Sequence, residues 1–460
     1  MIRRLLILAA AFGTLVVGVA SAGVGDVEPI DLQALIDGSE PGGTVQLGAN
    51  VYRGGVTIAH SMTLRGVAGS VIDAGGEGNG VEVDAADVTI DGITIRNTGK
   101  SLDRENSGVS VNAPRVTITN NVLEDVLFGV FLRGADDSVV SGNVVGSKQV
   151  DLARRGDGIR LWESHGSIVA GNRVEDSRDV VLWFSDDLTI TNNTVADGRY
   201  GLHFMYSDAA RVEGNALTGN AVGAFLMYSR DLVFIDNVLS DNHGPSGYGL
   251  GLKDMDGVTA EGNRFVGNRV GVYLDNSPWS SDVYQHFTHN LFAYNDIGVS
   301  FLPSVKRNVF VENAFIDNAE QVGVQGGGTL TGNEWSVDGR GNYWSDFAGY
   351  DADGDGIGDI PYRLEELYSR LTDDHPELRF FGETPSAKAV SLAGEMFPVL
   401  RPRPKVEDPA PLVRVPSFDP VAADGASAWA MALASFVMLG LAGAVIAAGR
   451  TTGRSREEAT

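Results

Sequence analysis

Cysteine is absent from the 460 residues. Disulfides, thiolate metal centres and cysteine nucleophiles are therefore excluded, and any metal must rest on His, Met, carboxylate or carbonyl groups. Basic residues are few: 35 Lys and Arg stand against 60 Asp and Glu, a net charge of −25. That balance argues against nucleic acid as a partner, because phosphate binding draws on clustered cations. An acidic surface serves solubility first, with attraction of cations as the other use. Aromatics are also sparse, at 8%. What is abundant is glycine, 59 residues of it, among short Val, Ile and Leu runs set off by Gly, Asn and Asp. That is the texture of many short strands joined by turns.

Long hydrophobic runs are confined to the two ends. Residues 1–22 carry Arg3 and Arg4, an apolar stretch from Leu5 to Val19, and Ala20-Ser21-Ala22, the order of a cleavable export signal. Residues 426–449 hold no charge and match the roughly 20 residues a helix needs to cross a bilayer. Arg450, Arg454 and Arg456 follow and Asp419 and Asp424 precede, so the tail 450–460 is expected in the cytoplasm and the large domain outside it. A buried hydrophobic helix is the other reading of that segment.

Between the ends the chain repeats one phrase: a Gly-led strand start, Ser or Asp, then apolar alternation closing on Asn. Gly201-Leu-His-Phe-Met-Tyr-Ser207 superposes without a gap on Gly223-Ala-Phe-Leu-Met-Tyr-Ser229. The closing residues, from Asn97, Asn121 and Asn143 through Asn215 and Asn237 to Asn313 and Asn333, fall 20 to 29 positions apart. Strands this short bury a core only by stacking coil on coil. The expected fold is all-β: a right-handed parallel β-helix with small capping elements and a C-terminal transmembrane helix. The expected divisions are an N-terminal cap over 23–65, coils over 66–345, a C-terminal cap with helices over 346–400, and an extended Pro-rich linker over 401–425. Asn is expected in left-handed turns and in axial side-chain ladders. Gly158, Gly201, Gly223, Gly249, Gly271 and Gly298 are expected to ease tight corners. Long coils place candidate binding loops at 147–156, 243–248 and 277–289, the last holding His286 and His289.

Alternation turns Leu202, Phe204, Ala224 and Leu226 inward and His203, Met205, Phe225 and Met227 outward. Trp162 and Trp183 fill the matching outward slots of the two preceding coils. Coils about 4.8 Å apart would bring the thioethers of Met205 and Met227 together beside His203, and thioether with imidazole suits Cu(I). Trp162, Trp183, Met205, Phe225 and Met227 equally suit a hydrophobic docking surface. Asp351, Asp353, Asp355 and Asp359 alternate through a Gly-rich loop of the kind that surrounds Ca²⁺, without the terminal Glu of an EF-hand; a solvated turn is the alternative. Asp136-Asp137 and Asp186-Asp187 are paired carboxylates such as glycosidases use, yet Asp is also a common turn former. No Gly-His-Gly or Arg-Ile-Lys sequence accompanies them.

Several motifs together carry a family resemblance: Asp157-Gly-Ile-Arg-Leu-Trp-Glu-Ser164, Tyr200-Gly-Leu-His-Phe-Met-Tyr206, Ala224-Phe-Leu-Met-Tyr-Ser229, Gly341-Asn-Tyr-Trp-Ser-Asp346, Gly354-Asp-Gly-Ile-Gly-Asp359, Leu367-Tyr-Ser-Arg-Leu371 and His375-Pro376. The chain resembles the NosD family of nitrous oxide reductase maturation proteins over nearly the whole exported part. The resemblance implies a non-enzymatic periplasmic partner of an ABC transporter membrane subunit that receives copper from a lipoprotein chaperone and supports copper-centre assembly in nitrous oxide reductase. The C-terminal apolar segment sets this chain apart from a freely soluble member. A cell-surface carbohydrate-binding or polysaccharide-degrading β-helix protein remains the rival, on fold analogy alone.

Overall fold

The computed structural model describes residues 30–418, apart from 366, 383 and 398–402. The expected export signal and the apolar segment 426–449 lie outside the described residues. Among those described, no helix is long and apolar enough to cross a membrane.

Three parallel sheets of 12, 13 and 12 strands run the length of the body, each strand pairing with its counterpart one coil away. The first sheet runs from Gly43–Gln46 to Asn308–Val311, the second from Val51–Arg53 to Tyr343–Trp344, and the third from Val56–Ile58 to Glu320–Val324. Coiling therefore starts at Gly43, inside the segment expected to be a cap, because residues 43–65 already alternate apolar and polar. Among the described residues, the helix Leu32–Asp37 is the cap. Asp31 accepts its Ala34 amide, and Leu32 and Ile36 are fully buried over the first coil.

Alternation sets the interior. Leu161, Leu182, Phe204, Leu226, Leu252 and Leu274 occupy one register position on successive coils and are all fully buried. Toward the C-terminal end Phe265, Phe292, Phe315, Trp344 and Tyr362 stack with ring centroids 4.2 to 5.1 Å apart. Buried amides rule the corner between the first and second sheets. Asn121, Asn143, Asn172, Asn193, Asn215, Asn237, Asn263, Asn290, Asn313 and Asn342 each donate to or accept from the next. For each of them except Asn342 the left-handed residue is the one before, such as Asn120, Gly142, Asn192, Gly214 or Asp236, which corrects the expectation that one residue does both jobs. Asn97 is left-handed and stays out of this ladder, and Asn333 pairs with Asn308 in another. A further ladder, Asn242, Asn268, Asn295 and Asn318, runs parallel to the first. The strand-start glycines are needed for a different reason from the expected one. A Cβ on Gly223 or Gly271 would sit 2.5 Å from the carbonyl oxygen of the next coil's Gly249 or Gly298.

The C-terminal end departs most from expectation. Helices Leu367–Asp374 and Pro385–Met396 are present, but residues 405–413 lie against the body. Val406–Asp408 pairs antiparallel with Tyr362–Leu364, and Lys405, Val406, Asp408 and Leu412 are buried. Asp408 Oδ2 accepts from the Asn342 amide at 2.7 Å and from Trp344 Nε1 at 2.9 Å. Backbone bonding continues to Val413, whose amide donates to Gly356. Residues 405–413 are thus docked and are not a tether.

Candidate functional site

The outer face of the third sheet gathers the outward residues named above into two columns. One reads Arg133, Trp162, Trp183, Met205, Met227, Lys253 and Asp275; its neighbour reads Phe131, Arg160, Val181, His203, Phe225, Gly251 and Tyr273. Met205 and Met227 are direct register partners, as the repeat spacing requires. Trp162, Trp183, Met205, Phe225 and Met227 are all half-buried. Gly251 leaves space for the Phe225 ring, against which a Cβ would press at 2.5 Å.

His203 points out of the coil but is not open to solvent. It is 7% exposed, edge-on to Trp183 and to Tyr200 at centroid distances of 5.2 and 4.8 Å. Its Nδ1 lies 3.4 Å from Asp179 Oδ2, the carboxylate contact that commonly orients a ligating imidazole. Arg199 Nε donates to Asp179 Oδ1 at 2.9 Å. Burial alone would raise the Asp179 carboxyl, but His203 and Arg199 hold it below the usual carboxylate range. Asp157 goes the other way: burial, helped by the charge of Asp179, pushes it up to about 7 against Arg160, Arg178 and Arg199.

Two buried nitrogen donors on this face, Arg160 Nε and Trp183 Nε1, have no hydrogen-bond partner, and His203 Nδ1 has only the Asp179 contact at 3.4 Å. Each unmade bond costs free energy, and buried donors are otherwise nearly always paired. They come from three consecutive coils, with the Arg160 guanidinium 5.6 Å from the Trp183 ring. Just past the Trp and Met column, Phe184, Tyr206 and Tyr228 hold left-handed backbone with φ of 52°, 53° and 55°. Gly, Asn or Asp would take that conformation at lower cost. The three rings stack at 5.3 and 5.0 Å, Phe184 meets Trp162 at 4.9 Å, and Tyr206 is 48% exposed. The expected site omitted this strip, as it omitted Asp157, Asp179, Arg160, Arg178 and Arg199. The signal for the strip was there: Trp or Met, then an aromatic, then Ser, at intervals of 22 residues.

The other candidates fall elsewhere. One oxygen each of Asp351, Asp353 and Asp355 lies within 4.8 Å of the others. Asp359 is outside that trio and closes the loop by accepting from the Ala352 amide at 2.7 Å. The loop's own amides already satisfy much of its charge, Gly354 and Gly356 donating to Asp351 at 2.7 and 3.0 Å. Asp136 and Asp186 accept from the amides of His165 and Asp208 one coil on, the turn-forming reading of those pairs. His286 lies in the strand Gln285–Thr288, and His289 in the turn after it, with Nε2 3.1 Å from Glu312 Oε2. Neither is part of the inserted loop, because that segment ends before Gln285.

A family model described as periplasmic copper-binding protein (NosD) matches residues 142–349. A probable ABC transporter binding protein NosD of Stutzerimonas stutzeri is 31% identical over 81% of this chain and 87% of its own. One from Pseudomonas aeruginosa is 32% identical over 88% of this chain and 95% of its own. The chain belongs to the NosD family. Its matched region contains the whole outward ladder from Trp162 to Asp275 and stops short of the Asp loop. Among solved structures, the A-module of the Azotobacter vinelandii mannuronan C-5 epimerase AlgE6 is similar with a TM-score of 0.51. It covers 66% of this chain and 94% of the module at 17% identity, a likeness of fold alone.

Proposed function

We propose that this NosD-family chain is a non-enzymatic assembly factor acting outside the cytoplasm. In this reading it works with the membrane subunit of an ABC transporter, takes copper from a lipoprotein chaperone and supports copper-centre assembly in nitrous oxide reductase. The observation that carries the reading is the pairing of Met205 with Met227 on adjacent coils, beside a histidine whose Nδ1 faces a buried carboxylate. Two thioethers at coil spacing offer Cu(I) soft donors that do not bind protons near neutrality. Asp179 would hold the His203 ring so that Nε2 is the nitrogen available to metal. Around these donors Trp162, Trp183, Phe225 and the stacked Phe184, Tyr206 and Tyr228 form an aromatic surface suited to a partner that covers the site during transfer. Copper here is cargo, held between two partners and not kept.

Anaerobic Cu(I) titration of the purified chain, with Met205→Ala/Met227→Ala as control, tests the metal half. Binding lost in the variant is expected; binding unchanged removes the thioethers from the path. The docking half is tested by copper content of nitrous oxide reductase in cells carrying the same variant or lacking the gene. A fully loaded enzyme in the gene's absence would sink the assembly role.

A further inference from the structure

The long insertion between the strands Val270–Asp275 and Gln285–Thr288 builds a cavity of about 160 Å³. Asp275, Asn276 and Trp279 line one side, and Ser304, Lys306 and Arg307 the other. The insertion is fixed in place. Buried Asp256 accepts from the Trp279 and Ser280 amides at 3.0 and 3.1 Å and from Ser280 Oγ at 2.5 Å. In the register of the third sheet Asp275 stands two coils beyond Met227, so the cavity opens at the far end of the outward ladder.

Its chemistry differs from that of the rest of the surface. In a chain of net charge −25, Lys306 and Arg307 sit side by side with no carboxylate of the described residues within ion-pair distance, while Asp275 is paired with Lys253 at 3.7 Å. Arg307 Nε is buried without a partner. Arg307 and Ser304 hold left-handed backbone, with φ of 63° and 71°, where Gly or Asn would be cheaper. Trp279 leaves 62% of its surface exposed. Guanidinium and ammonium groups recognise a carboxylate, a free indole face takes the flat apolar side of a ring, and Asn276, Ser304 and Asp275 offer partners to hydroxyls. A cavity of about 150 Å³ is enough to admit one six-membered ring. The strand Gln285–Thr288 is paired on both sides, so an extended acidic peptide would find no sheet edge to join.

We infer that this pocket binds one carboxylate-bearing sugar ring, a uronate unit of an acidic glycan, and that it does so independently of copper. The full chain is titrated with galacturonate and its short oligomers, with galactose and with an oligoglutamate peptide, following tryptophan fluorescence and saturation-transfer NMR. Uronates are expected to bind and galactose not to. Trp279→Ala and Lys306→Gln/Arg307→Gln should each weaken uronate binding by about tenfold or more, and Met205→Ala/Met227→Ala should leave it unchanged. Should the charge variant fail to fold, the exposed Trp279→Ala decides. Equal binding of galactose, uronate binding indifferent to Trp279→Ala, no uronate binding, or tighter binding of the peptide overturns the assignment.

Discussion

At the scale of single residues, the outer face of the third sheet holds groups that stability alone would not choose. A carboxylate buried as deeply as Asp157, beside a second one, is disfavoured when charged. Its native carboxyl is raised to about 7, above the unfolded value near 3.8. The folded state therefore binds the extra proton between about pH 4 and 7, and Asp157 lowers stability progressively as pH rises through that window. Asp157→Asn should raise the melting temperature at pH 8 by more than at pH 5, and equal shifts at both pH values would refute the assignment. The left-handed aromatics make a second case. Tyr206→Gly removes backbone strain of order 1 kcal/mol along with ring stacking of comparable size. Thermal stability should change little, whereas loading of nitrous oxide reductase should fall if the strip is a docking surface. The outward ladder itself was legible in the sequence, because period-2 alternation and a 22-residue repeat fix which side chains share a column. The shielding of His203 by Trp183 and Tyr200 was not, since it depends on ring orientations that no periodicity encodes.

At the scale of the element, the coil corners separate two jobs that a run of Asn-Asn leaves undistinguished. Asn192 is exposed with φ 55°. Asn193 is 3% exposed and donates to Val169 O and Asn215 Oδ1 at 2.8 and 2.9 Å, while its own Oδ1 accepts from the amide and side chain of Asn172. Asn192→Gly should therefore be nearly neutral, within about 0.5 kcal/mol. Asn193→Gly leaves donors and acceptors of three coils unmatched and should cost about 2 to 4 kcal/mol. Chemical denaturation of the two variants side by side measures the difference, and similar losses would mean that the turn, and not the ladder, is what Asn supplies. The sequence showed where a coil closes because Asn recurs there. It did not show which of two adjacent residues faces in, since both jobs draw on the same small polar residues.

At the scale of the whole molecule, a β-helix exposes a bare strand at each end, and such an edge invites unwanted pairing unless covered. The first coil is closed by six helical residues with two buried side chains. The last is closed by a segment that returns from far along the chain. Lys405 is the centre of that closure: its Nζ lies 2.6 Å from Asp373 Oδ2, 2.9 Å from Glu320 Oε1 and 2.6 Å from Ser369 Oγ, with 2% of the side chain exposed. Glu320 belongs to the last strand of the third sheet and Asp373 to the cap helix Leu367–Asp374, so one ammonium group joins coil, helix and returning strand. Composition read this stretch as a tether because Pro and charge dominate it, and a buried charge set by partners 32 and 85 residues away leaves no local signature. Lys405→Ala strands two buried carboxylates with Arg379 as their remaining cation among the described residues, at 3.2 Å from Glu320 and 4.0 Å from Asp373. A loss of roughly 3 to 5 kcal/mol follows from breaking such a cluster on one side. Adding Asp373→Asn removes one unpaired charge and should recover part of it. If the closure is local, hydrogen exchange will quicken first at Val406–Asp408 and Tyr362–Leu364 while the Asn ladder between Asn121 and Asn290 stays protected. Uniform loss of protection along all the coils would instead make the end clamp a condition for the whole solenoid, as nearest-neighbour coupling through a stacked array allows.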